Sequence, residues 1–117
     1  MTDVTLYLRK NSKRFQRKAS MLLYIEADDQ SCTLYFKNEE HFFSGYNLKY
    51  YEEKLFCTEA FVRAQRSFLI MLSETENYKY HLALMSNGKK IPLNENSYRV
   101  VKEYIDHRNS IPPATAA

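Results

Sequence analysis

Apolar and polar residues change places along this chain with the period of short strands. Val4, Leu6 and Leu8 alternate with Thr5, Tyr7 and Arg9, as a half-buried strand requires. A basic, polar stretch follows over residues 10–18, then the apolar run MLLYIE over 21–26, of strand length. Asp28, Asp29, Gln30 and Ser31 make a polar turn. The run CTLYFK over 32–37 and the segment around Phe42 and Phe43 are β-rich again, with residues 38–40 at the tip of a hairpin. Residues 61–65 and 68–71 are apolar on either side of Arg66-Ser67, which predicts a strand, a sharp turn and a second short strand or helical turn. Residues 78–85 read as one strand. Asn87-Gly88 ahead of residues 89–93 predicts a hairpin with a type I′ turn, because both residue types tolerate positive φ.

Two segments carry the helical period instead. Asn47 is placed to cap a two-turn helix over 48–55, with Leu48, Tyr51 and Leu55 on one narrow stripe that suits the surface of a sheet. Residues 94–96 form a polar break with capping capacity. Tyr98, Val101 and Ile105 then share one face of an amphipathic helix over 97–107. The tail from Ser110, SIPPATAA, is expected to be disordered. The fold class is therefore mainly β with two short helices. Its antiparallel sheets are joined by local hairpins in a single domain over 1–109.

Composition narrows the function. Ten Tyr and no Trp suit half-buried strands, with rings inside and hydroxyls wet. The longest uninterrupted apolar stretch runs only from Phe68 to Leu72, far short of a membrane span, and the N-terminus lacks an apolar signal region. The expectation is a cytoplasmic protein with no membrane segment and with Cys32 and Cys57 reduced. His41, His81 and His107 lack metal-ligand spacing, the cysteines lack a C-x-x-C partner, and no phosphate cradle or nucleophile motif occurs. No enzyme activity, metal or cofactor is expected. The net charge of +3 is small, but residues 1–18 hold six basic side chains, Arg9, Lys10, Lys13, Arg14, Arg17 and Lys18, against Asp3 alone. Such a block is either a phosphate-binding arm, with Arg14, Arg17 and Lys18 as contacts, or a solvated turn between two strands.

The run FVRAQRSFLI, from Phe61 to Ile70, resembles the signature stretch of the LytTR family of bacterial DNA-binding domains, F-x-R-x-H-R-S-[YF]-x-V, with Gln65 in place of the family's His. MLLYIEAD resembles the family's I-L-Y-I-E-A run and NLKYYEEKL its first helix. NGKKIPL resembles its N-G-x-x-[IL]-P-V hairpin and SYRVVKEYI its last helix. Together these cover roughly residues 14 to 106. The resemblance implies an elongated set of small antiparallel sheets with loops along one edge that enter successive major grooves. It implies a transcription regulator, here without the receiver domain that commonly precedes the module.

The three contact loops implied are residues 28–31, 65–67 and 94–96. Arg66 suits bidentate bonding to guanine O6 and N7, or an ion pair with a carboxylate; Gln65 suits adenine N6 and N7, or a turn hydrogen bond. Gln30 and Ser31 lie in the first loop. Ser67 suits a phosphate oxygen or a local backbone bond. Asn94 and Asn96 suit a base or phosphate, and one of them a helix cap. Lys89 and Lys90 add basic charge. The chain departs from the family pattern at Glu95, where an Arg is often found, and at Asp28 and Asp29. A carboxylate near phosphates weakens binding by repulsion. The expected partner is double-stranded DNA, with two copies on repeated half-sites. The alternative is an interaction module on the same fold that has lost tight DNA binding and modulates a partner regulator, with exposed Tyr46, Tyr50 and Tyr51 at its interface.

Overall fold

The computed structural model describes residues 3–56 and 61–110. The described residues form ten strands and two helices: β1 (Thr5–Lys10), β2 (Lys13–Lys18), β3 (Leu22–Asp28), β4 (Ser31–Phe36), β5 (His41–Ser44), α1 (Leu48–Lys54), β6 (Phe61–Gln65), β7 (Phe68–Met71), β8 (Thr75–Lys79), β9 (Leu82–Met85), β10 (Lys90–Pro92) and α2 (Glu95–Ser110). They make three antiparallel sheets: β1-β2, a central β5-β4-β3-β7-β6, and β10-β9-β8. The molecule is elongated, 51 × 32 × 24 Å.

The central sheet is buried on both faces, which explains why FLIM in β7 has no polar alternation. Leu69 and Met71 point into one core cluster with Ile25, Leu34 and Phe36. That cluster also takes Leu6 and Leu8 of β1 and Leu48, Tyr51 and Leu55 at α1. Phe68 and Ile70 point the other way, into a second cluster with Ala83, Met85, Ile91, Val101 and Ile105. Layers therefore stack on either side of the central sheet: the β1-β2 hairpin and α1 on one, the β8-β9-β10 sheet and α2 on the other. A register shift between Leu22 and Tyr24 lets Leu22 and Ile25 share the first cluster, while Leu23 and Tyr24 face the second.

Most predicted elements form as read. Asn47 caps α1, its Oδ1 accepting the Tyr50 N–H at 2.9 Å. The segment after Arg66-Ser67 is a strand, not a helical turn. Of the three tyrosines read as an interface, Tyr51 is buried and bonds Ser44, whereas Tyr46 and Tyr50 stack at the surface with ring centroids 4.1 Å apart.

Four readings change. The basic stretch is a strand and not a turn over most of its length: residues 13–18 are β2, paired with β1 from Thr5↔Lys18 to Lys10↔Lys13. The single strand expected over 78–85 is two, β8 and β9, because the chain turns at Tyr80-His81, with His81 at φ 58°. The 87–88 turn is not type I′, since only Gly88 has positive φ (89°). Gly88 N–H donates to Met85 C=O and Met85 N–H to Lys89 C=O, giving a three-residue loop closed by a left-handed glycine. Finally, α2 starts at Glu95 and runs through Ser110, longer than the helix expected over 97–107, and it takes in Ser110. Residues 111–117 and Cys57 lie outside the described residues.

Burial of Cys32 beneath Tyr46 has a measurable consequence. Its thiol is pushed up to about 11 from an ordinary 9.0 by loss of solvation. The folded state then binds a proton that the unfolded chain has released above pH 9. This contribution to stability is whole below that value and is lost as pH rises through about 11. The urea midpoint is expected to fall across that window, and Cys32→Ala to remove part of the fall. A midpoint equally pH-dependent in both proteins would refute the assignment.

Candidate nucleic-acid interface

Three turns far apart in sequence are fastened together by backbone hydrogen bonds. β3 and β7 are neighbours, and at their shared end Ala27 N–H donates to Ser67 C=O at 2.7 Å. This joins the 28–31 turn to the 65–67 turn. On the other flank, Asn94 N–H donates to Ala64 C=O at 3.0 Å, and the buried Ser97 hydroxyl donates to the same carbonyl. This joins the 65–67 turn to residues 94–96. The row thus runs across the stacked layers.

Each turn owes its shape to its residues. At 28–31, Asp29 sits at φ 59°, a conformation Asp tolerates, and Ser31 Oγ donates to Asp28 C=O at 3.0 Å. Gln30 is exposed at the tip. At 65–67 a register shift between Arg63 and Gln65 precedes a tight two-residue connection. Arg63 builds that turn from behind. Its Nε donates to Gln65 C=O at 3.2 Å, its Nη2 to Arg66 C=O at 2.9 Å, and its Nη1 to the Glu52 carboxylate on α1. Arg66 is exposed, and its side chain has no hydrogen bond or ion pair among the described residues. The two arginines of the motif therefore divide: one is spent on the turn, the other presented to solvent.

At 94–96, Asn94 is the helix cap, its Oδ1 accepting Ser97 N–H at 2.8 Å. Asn96 is exposed in the first turn of α2. Glu95, with 75 % of its side chain exposed, lies beside the β8–β9 turn: its Oε2 is 3.3 Å from His81 Nε2, without hydrogen-bond alignment. His81 is held between Tyr80 and Tyr98, with centroids at 4.1 and 5.1 Å, and its carbonyl accepts Leu93 N–H.

The remaining basic residues are scattered. Lys89 and Lys90 sit at the far end of the β9-β10 hairpin, since Pro92↔Leu82 is the rung nearest the row. Arg17 is committed to Glu40 by two hydrogen bonds of 2.8 and 2.7 Å and lies over Phe15 and Phe42. The hydrogen bond from Arg17 also holds the Glu40 carboxyl below its ordinary range. Lys18 Nζ donates to Thr5 Oγ1 at 3.1 Å. Arg14 is exposed on the outer face of β2. Sequence reasoning missed the buttressing by Arg63, because nothing local tells a pinned arginine from a free one. It missed the Tyr80-His81 turn because both residues fit a strand pattern.

Comparison with known proteins agrees with this architecture. The family model described as the LytTr DNA-binding domain matches residues 12–106. A solved LytTr DNA-binding domain from Bacillus cereus superposes with a TM-score of 0.70 at 20% identity, covering 87% of this chain and 96% of that one. No curated protein matches.

Proposed function

The chain belongs to the LytTR family of DNA-binding domains, and from that membership we propose that it is a sequence-specific regulator of transcription whose loop row enters the major groove. The observation that carries this reading is Arg66: an exposed guanidinium without a partner among the described residues, on a turn stiffened by Arg63 and bonded to a turn on either side. A guanidinium on a rigid mount can bond guanine O6 and N7 together. Gln65 and Gln30 offer amides on the same edge, and Ser67, Ser31 and Asn96 short polar groups for phosphates or bases. Asn94 is occupied as a cap and serves by placing its loop. Two copies on repeated half-sites would add affinity through effective concentration.

Glu95 opposes this function electrostatically, as a carboxylate on the loop row facing phosphates. Glu95→Gln is therefore expected to tighten binding roughly three- to tenfold at low salt, with a shrinking advantage as salt rises. Equal affinity of both proteins at 50 mM and 200 mM salt would show that the carboxylate stays clear of DNA.

The deciding experiment is selection of the purified chain against random duplex DNA at two salt concentrations. An enriched motif whose binding weakens steeply with salt supports the reading. No enrichment at low salt overturns it and transfers the row to a protein partner.

A further inference from the structure

The N-terminal hairpin places like charges directly opposite each other on two successive rungs, Arg9 against Arg14 and Lys10 against Lys13. Opposed like charges destabilise a ribbon. Lys10 has an outlet, donating to His41 C=O at 3.2 Å and lying over Phe42. Arg9 and Arg14 have none. Leu6 and Leu8 point into the core, so strand alternation puts Tyr7, Arg9, Arg14 and Gln16 on the outer face. There neither guanidinium has a hydrogen bond or ion pair among the described residues. Together with Tyr7, Phe43 and Tyr46 they line an open groove of about 650 Å³, with no carboxylate among the described residues that line it. Tyr7 and Phe43 are 70% and 64% exposed.

The position of this groove is as informative as its charge. Its wall is the end of β5 and the residues leading to α1. Ser44 pairs with Cys32, and Cys32 Sγ donates to Tyr46 C=O at 3.0 Å. Cys32 follows the 28–31 turn directly, so the groove adjoins the outer end of the loop row, at the opposite end of the stack from residues 94–96. Tyr7 and Arg9 also lie outside the span matched by the family model.

We propose that this groove is a fourth DNA contact, in which a duplex seated on the loop row continues over the hairpin and lays one phosphodiester backbone between β2 and β5. The inference rests on the DNA-binding reading above. Arg9 and Arg14 each meet a phosphate, which relieves their mutual repulsion, and guanidinium forks bond phosphate oxygens in pairs. Tyr7, Phe43 and Tyr46 pack against the deoxyribose faces. Such contacts carry no base information, so they lengthen the footprint on one flank without changing the motif.

The test uses synthetic duplexes of the motif enriched by the wild-type chain, either trimmed to the motif or extended by about ten base pairs on one flank or the other. The wild-type chain should gain roughly tenfold or more in affinity on extending one flank and nothing on extending the other. The slope of log K against log salt should steepen by about 1.8 on that flank, as two phosphates require. Arg9→Gln/Arg14→Gln should bind the trimmed duplex as the wild type does and lose the gain on extension, with a Tm no lower than that of the wild type, since the opposed charges on that rung are gone. A gain that survives in the double variant, or no gain in the wild type, overturns the fourth contact alone. Weakening on trimmed and extended duplexes alike also overturns it, since that is general electrostatic attraction. Failure of the wild-type chain to enrich any duplex overturns the DNA-binding reading and this contact with it.

Discussion

Replacing Arg66 with alanine is expected to remove about 1–3 kcal/mol of DNA-binding free energy and to relax the preference at one base position, with no change in Tm. The expected size follows from a bidentate arginine–guanine pair made where water is excluded. The unchanged Tm follows from the free protein, where the side chain bonds nothing among the described residues. Arg63 in the same motif should behave oppositely. It bonds the Gln65 and Arg66 carbonyls and Glu52, so Arg63→Ala should loosen the turn and weaken binding to all sequences together. Selection repeated with Arg66→Ala is the check. An unaltered motif would remove Arg66 from the readout and leave it a phosphate contact at most.

Ile25→Ala is expected to destabilise the chain by about 2–5 kcal/mol. Ile25 is fully buried at the middle of the central sheet, paired with Leu34 on one side and Leu69 on the other, so the cavity has little room to collapse. Domains of this size are stable by only about 5–15 kcal/mol, so the substitution takes a large share. Urea unfolding should show a lower midpoint with an unchanged m-value. A loss below about 1 kcal/mol would mean that β1 and α1 repack over the gap, and that the first core cluster is more plastic than its burial implies. Taken together, Arg66→Ala and Ile25→Ala should move binding and stability independently.

How much could be read beforehand depended on how local each cause was. Asn47 and Asn94 announce caps because the capping bond spans three residues. The alternation in β4 announces a strand because each residue's burial follows from the pleat. The β8–β9 turn was illegible: Tyr80 and His81 fit a strand, and the turn is stabilised from outside by Leu93 and Tyr98. The strand over 13–18 was obscured by charge. Lysine and arginine at 13, 14, 17 and 18 signal solvent, although a hairpin needs only one face covered, and here Phe15 and Arg17 cover it. The 87–88 turn was located correctly but mistyped, since Asn-Gly also fits a three-residue loop in which only the glycine is left-handed.

The sequence by itself determined most of the elements, their antiparallel pairing through short hairpins, and the family to which its motifs point. These depend on periodicity, caps and turn residues, which act over a few positions. Only the tertiary structure decided which polar residues share an edge and which are free to act. Arg63, Arg66, Arg14 and Arg17 look alike in sequence. In the fold, Arg63 and Arg17 are consumed by Glu52 and Glu40, while Arg66 and Arg14 face solvent. The turns at 28–31, 65–67 and 94–96 become one surface through the bonds from Ala27 to Ser67 and from Asn94 to Ala64. Those bonds join positions 30 or more residues apart, in each case across neighbouring elements whose packing is set by the two buried clusters flanking the central sheet.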